Sequence, residues 1–253
     1  MIRLYLTSLL LLTTGLAWSQ KAFIFNTQQK NGFVSLSVGV SQPLGTFSQK
    51  TSGPASGMAL RGQALSLATG YRLAGPLGLM ARYEQTTNTI DPTGLLEPYA
   101  ATPASQLTAA AAPGRAGQWQ TQSLMVGPYL TIPVGRFSVD VRALAGQIWI
   151  TCPQTSVSGT LNRQETLVRA GGEQATALAA GLGLTTRFRL TPCVAIHLST
   201  DYSSATFSYG NVPAETQYGN YTLKTAQFSQ KTLRSATVSV GLTFQFKSRN
   251  SVF

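Results

Sequence analysis

Polar and apolar residues alternate along most of this chain, most strictly near its end. Between Ser235 and Phe246, Ala236, Val238, Val240, Leu242, Phe244 and Phe246 take every second position, and Ser235, Thr237, Ser239, Gly241, Thr243 and Gln245 fill the rest. A two-residue period puts the two sets on opposite faces of a β-strand. The same period runs through Val34 to Ser41, Leu65 to Leu73, Leu77 to Glu84, Leu124 to Ile132, Phe137 to Trp149, Leu178 to Leu190 and Val194 to Tyr202. The pattern predicts an all-β chain of about eight strands, each near the ~9–11 residues that a tilted strand needs to span a bilayer.

The connections separate a membrane barrel from a soluble sandwich. Three are short and rich in turn residues: Ala74 to Pro76, Pro133 to Arg136 and Thr191 to Cys193. They alternate with long polar or Ala/Pro-rich segments, Thr46 to Arg61, Thr86 to Gly117, Thr151 to Glu173 and Tyr209 to Thr232. Short turns at one end and long loops at the other describe a single up-and-down antiparallel transmembrane β-barrel, with short periplasmic turns and long extracellular loops. A short helix at Leu107 to Ala112 is an alternative within the second long segment, stopped by Pro113 and Gly114.

The first twenty residues give the compartment. Arg3, an apolar run from Leu4 to about Leu12, and the small residues Ala17 and Ser19 form an export signal, too short for the ~20 residues of a membrane-spanning helix. The expected organisation is therefore a cleaved signal peptide over 1–19, an N-terminal periplasmic extension over 20–32, an outer-membrane β-barrel over 33–247 and a tail over 248–253. No Cys follows the apolar run, so a lipid anchor is not expected.

Composition agrees with a lipid-facing wall. Charged residues make up 11% of the chain, against ~25% in ordinary soluble domains, while 24 residues are Gly. Outward parity gives two aromatic belts: Tyr71, Phe137, Phe188 and Phe246 near the short turns, and Tyr83, Trp149 and Tyr202 near the long loops. Inward parity collects the charges in the lumen: Arg72, Arg82, Glu84, Asp140, Arg142, Arg187, Arg189, His197 and Asp201, with Tyr129 among them. A charge facing lipid near the midplane costs roughly 2–4 kcal/mol. An eight-stranded barrel is only wide enough for side chains, so these groups are expected to pair with one another and leave no open channel. Folding the turn at Thr191 to Cys193 sets Arg187 opposite His197, and a neighbouring guanidinium predicts a neutral imidazole.

The last strand also resembles the assembly signal of bacterial outer-membrane barrels. Ser239, Gly241, Phe244 and Phe246 take the places of its polar residue, its Gly two positions later and its closing hydrophobics. The resemblance implies recognition by the barrel-assembly machinery; the extra tail after Phe246 departs from members that stop at the aromatic. Taken whole, the chain is similar to the small outer-membrane barrels related to OmpA and OmpX, including the PorT-type group with Pro43, Leu44 and Gly45 soon after the first strand. That likeness implies a bacterial outer-membrane address and contact with outer-membrane lipids, lipopolysaccharide included. It adds little about task, because relatives include structural proteins, adhesins, secretion accessories and a few enzymes.

Chemistry-bearing residues are few. Cys152 and Cys193 fall at opposite ends of the barrel, beyond the ~7 Å a disulfide allows, and with one His they offer no metal-ligand cluster. No cofactor is expected. The net charge of +11 is scattered, with no basic run, so nucleic acid is not an expected partner. The loop cations Lys50, Arg61, Arg115, Arg163, Arg169, Lys224 and Lys231 either meet glycolipid phosphates or are solvated. His197 and Ser199 resemble the His-x-Ser pair of outer-membrane lipid A deacylases, but their parity points inward, away from lipid. The expectation is a monomeric, non-enzymatic barrel with a structural, interaction or adhesion role through its loops, served by an envelope or extracellular protein partner. The alternatives are a narrow-channel transporter, a secretion accessory and a soluble β-sandwich.

Overall fold

The computed structural model describes residues 31–50, 56–99, 106–161, 164–218 and 221–246. The expected signal peptide, the extension up to residue 30 and the tail lie outside these residues. Among the described residues eleven strands form one antiparallel sheet: β1 Gly32–Pro43, β2 Ala59–Ala74, β3 Leu77–Ile90, β4 Gln106–Ala111, β5 Gln118–Val134, β6 Phe137–Thr151, β7 Thr155–Leu161, β8 Gln164–Ala170, β9 Gln174–Arg189, β10 Val194–Tyr218 and β11 Tyr221–Phe246.

Eight of them close a barrel in the order β1-β2-β3-β5-β6-β9-β10-β11, with β11 pairing back on β1 from Gly32↔Phe246 to Pro43↔Ser235. Closure leaves no sheet edge in the wall, so every backbone group there can be paired within the ladder. Hydrogen-bonded neighbours share parity across the seam: Val34, Leu36, Val38 and Val40 oppose Phe244, Leu242, Val240 and Val238. All eight face outward, Leu36 at 54% exposure and Leu242 at 57%, while Ser35, Ser37, Ser239 and Thr243 between them are buried. A continuous exposed wall of Val, Leu and Phe is the reverse of a soluble surface, and lipid is the solvent that removes its roughly 25 cal/mol per Å2 penalty. The apolar band rises from Leu73, Leu77, Val134, Phe137 and Leu190 to Val40, Leu65, Leu124 and Tyr202. These strand portions are the membrane-spanning segments. Tyr71, Phe137, Phe246 and Tyr202 lie on the outward face, and Phe137 packs on Phe188 with ring centroids 4.9 Å apart.

At the lower end the β2–β3 and β5–β6 turns are two residues long. Gly75 (φ +52°) and Gly135 (φ +63°) supply the left-handed conformation that such tight turns need. At the upper end the architecture is richer than long loops. The expected loop over Thr151 to Glu173 contains the β7–β8 hairpin, that over Tyr209 to Thr232 continues β10 and β11, and that over Thr86 to Gly117 carries β4. The alternative helix at Leu107 to Ala112 is strand β4. These segments, such as TSVSGTL and QETLVRA, read as loops because both faces are polar, so strand pairing leaves no apolar period. Together they extend the sheet beyond the wall in the order β11-β10-β8-β7-β4.

The mouth of the barrel is closed from above. The turn Gly45–Phe47 after β1 tucks Phe47 against Trp119, centroids 5.3 Å apart and edge-on. Trp119 Nε1 donates to Gly57 O at 2.8 Å, and Lys231 Nζ donates to Ser56 O. Met125, Leu144, Ile148, Ile150, Phe207, Tyr209 and Leu233 complete an apolar plug beneath.

Candidate functional site: a filled lumen and its mouth

Below this plug the lumen is ionic. Inward parity on β3, β6, β9 and β10 brings Arg82, Glu84, Asp140, Arg142, Arg187, His197 and Asp201 inside, each buried. Three carboxylates face three guanidiniums, which leaves this buried set balanced. Asp201 Oδ1 is the hub: it accepts from Arg82 Nη1 at 2.7 Å, Arg142 Nη2 at 2.5 Å and Arg142 Nε at 2.9 Å. Arg82 also pairs with Glu84, whose second oxygen accepts from Thr237 at 3.5 Å. Lower down, Asp140 takes Arg187 on one oxygen and the Thr131 hydroxyl at 2.7 Å on the other. Arg187 lies over the Phe33 ring, 4.1 Å from its centroid.

Close packing depends on small residues facing large ones. Gly183 on β9 stands in register between Arg142 and Asp201, and a Cβ there would fall 2.2 Å from Asp201 Oδ1 and 2.5 Å from Arg142 Nε. Gly78 similarly underlies the Tyr129 ring. A small cavity of about 20 Å3 is lined by Arg82, Arg142, Arg187, His197, Ser199 and their neighbours. That volume holds about one water molecule.

Two expected lumen residues stand apart. Arg189 belongs to the lumen by parity, yet it is exposed, because β9 ends there and the side chain reaches rim solvent. Arg72, also near the lower rim, is half-buried. His197 lies opposite Arg187 in the ladder, and its Nδ1 meets the Thr243 hydroxyl at 2.9 Å. Ser199 shares a hydrogen bond with Thr185 at 2.7 Å, itself contacted by Arg142. Both side chains of the His-x-Ser pair are thus buried in the lumen and occupied by hydroxyls. Among the described residues no three metal-ligating side chains come together.

Of the assembly-signal positions, Ser239 is buried inward, Gly241 opposes Ser37 with no room for a Cβ, and Phe244 and Phe246 face outward at the lower end. The Phe246 ring covers Gly32 across the seam. Sequence reading did not single out the mouth residues Phe47 and Trp119, and it read Lys231 as a loop cation, whereas its Nζ donates to Ser56 O at the mouth. Their signal was there in part, since Phe47 is a large ring in a segment read as a loop and Trp119 follows another by two residues.

The closed ladder, the lipid wall and the short-turn, long-extension asymmetry define an integral β-barrel of the bacterial outer-membrane class. No family model and no curated protein matches the chain. Solved structures of similar shape include the outer-membrane protein OprG of Pseudomonas aeruginosa, at 12% identity, 87% and 97% coverage of this chain and that one, and TM-score 0.46. Neisserial surface protein A superposes at 11% identity, 85% and 97% coverage and TM-score 0.44. Ail, the attachment invasion locus protein of Yersinia pestis, does so at 14%, 85% and 99%, and 0.39.

Proposed function

We propose that this chain is a monomeric, non-enzymatic barrel whose membrane wall is a scaffold and whose working surface is the extracellular sheet. The observation that carries this reading is a contrast of volumes. The cavity among the buried lumen charges measures about 20 Å3, whereas a cleft of about 640 Å3 opens on the extension between Pro113, Gln154, Arg169, Glu215 and Lys224. Above it the β10–β11 hairpin presents Tyr221 at 81% and Leu223 at 62% exposure, apolar side chains with no lipid at their height. The partner is an envelope or extracellular protein. Kinship with the OmpA/OmpX and PorT-type barrels rests on the architecture and on Pro43, Leu44 and Gly45, and delivery by the barrel-assembly machinery on the Ser239, Gly241, Phe244 and Phe246 pattern. A filled lumen disfavours the transporter alternative.

A photo-crosslinking residue at Leu223, in intact cells, should give a discrete protein adduct that the same probe at lipid-facing Leu36 does not. Purified barrel in planar bilayers should show no stepwise conductance. Conductance steps together with no adduct at Leu223 would reverse the reading in favour of a channel.

A further inference from the structure

The chain's eight acidic residues are unevenly placed along the barrel axis. Glu84, Asp140 and Asp201 are buried in the lumen against Arg82, Arg142 and Arg187. The other five, Asp91, Glu97, Glu165, Glu173 and Glu215, all belong to the upper segments. Among the described residues the lower end has none. Its turns and strand ends carry Arg72, Arg136 and Arg189 instead, and the segments that lead into β1 and out of β11 add Lys21, Lys30, Lys247 and Arg249 with no acid among them. Most of the net +11 therefore belongs to the short-turn end and the segments joined to it. The Arg189 amide donates to Arg136 O at 3.0 Å, which sets the end of β9 beside the β5–β6 turn and brings two exposed arginines together. Among the described residues neither forms an ion pair. Arg72 stands on β2, halfway round the eight-strand ring from β9 and so across the lower mouth from Arg189.

Parity selects the kind of ligand. Tyr71, Leu73 and Leu190, the chain neighbours of Arg72 and Arg189, are exposed on the lipid face. A cation serving phosphates of the inner leaflet would share that outward parity. Arg72 and Arg189 have the opposite one, which puts them on the axis side of the wall, under the lumen. A rim of like charge without counter-ions concentrates its field on approaching anions. Guanidiniums match carboxylates in shape as well as charge, since two parallel N–H groups meet two oxygens. We propose that the lower mouth is a docking surface for an acidic segment of a periplasmic protein, one carboxylate shared by Arg136 and Arg189 and another held by Arg72 across the opening. This surface is separate from the extracellular sheet. It rests on the reading of the chain as an outer-membrane barrel, which puts the short turns in the periplasm.

The probe is a fluorescent peptide of about ten residues alternating Glu and Gly, long enough when extended to cross the mouth, with a Gln-Gly peptide as its neutral counterpart. Anisotropy is read on the whole barrel in nanodiscs of zwitterionic lipid, which leave both ends open to solvent. The Glu peptide should bind saturably, and the Gln peptide about tenfold more weakly or less. Arg136→Gln combined with Arg189→Gln should weaken Glu-peptide binding about tenfold, and Arg72→Gln should weaken it further. The charge-matched pair Arg61→Gln and Arg115→Gln, at the upper end, should leave it unchanged. Each variant is first checked for heat-dependent gel migration, and the single changes at Arg136 and Arg189 carry the test if the double variant fails to fold. Equal binding of the two peptides, or an equal loss in the upper-end pair, overturns the docking surface. Folded lower-end variants that shed retained phosphatidylglycerol in mass spectrometry, yet bind the Glu peptide as the wild type does, assign the arginines to lipid and overturn it as well. A wild-type chain with no heat-dependent shift overturns the barrel reading itself, and the surface with it.

Discussion

Arg142 on β6 grips Asp201 on β10 across the whole width of β9, through Nε at 2.9 Å and Nη2 at 2.5 Å. The two strands are not neighbours in the ladder, and the pair meets only because Gly183 between them has no side chain. Gly183→Ala should therefore break the hub by sterics alone. Asp201→Asn should do so by leaving Arg82 and Arg142 buried without their shared anion. Either change should lower unfolding free energy by about 3–5 kcal/mol, the range for a broken buried ion pair. Urea titration of the barrel in lipid vesicles measures it, and an effect under 1 kcal/mol for both variants would contradict the geometry.

The mouth plug should detach without loss of the wall. Trp119→Ala removes the edge-on contact with Phe47 and the hydrogen bond to Gly57. Loss of a buried Trp is worth about 3–5 kcal/mol, but here much of it should fall on residues 45–59 alone. Limited proteolysis should cut that segment faster in the variant while the heat-dependent shift persists. Equal cleavage of both proteins would mean the plug is held elsewhere.

Burial pushes the Cys152 thiol up to about 11. It packs beside the apolar plug, above the membrane band. Only the thiolate is nucleophilic, so a raised pKa keeps the reactive fraction small at neutral pH. In a Cys193→Ser background, maleimide labelling of Cys152 should keep rising about tenfold per pH unit from 7 to 10. A plateau near pH 8.5, the range of a free Cys, would contradict its burial.

Lumen closure predicts leakage on truncation. Arg82→Ala, Arg142→Ala and Arg187→Ala together remove three buried side chains from a space that otherwise holds about 20 Å3. Glu84, Asp140 and Asp201 must be changed to Asn or Gln with them, so that no carboxylate is left buried alone. The sixfold variant should admit small ions if the upper plug is also opened by Trp119→Ala. With the plug intact, planar-bilayer current should remain at baseline.

Parity is a local property of extended backbone, and for this reason the sequence by itself determined which side chains face lipid and which face the lumen. Leu36 and Leu242 lie outside, Arg142 and Asp201 inside, because each strand carries its own two-residue period. The short turns at Gly75 and Gly135 were equally legible, being set by a few adjacent residues. Arg189 shows the limit: parity gave its direction, but its distance from the rim depended on where β9 ends. The tertiary structure decided what no local pattern encodes. Strand tilt and closure chose Asp201 as the partner of both Arg82 and Arg142, and set His197 against Thr243. Pairing on the upper part of β10 turned the polar segments β7 and β8 into sheet, and β4 joined them on β7, beyond the barrel ladder itself. Phe47 and Trp119, distant in sequence, met at the mouth because closing the barrel brought the β1–β2 connection over the start of β5.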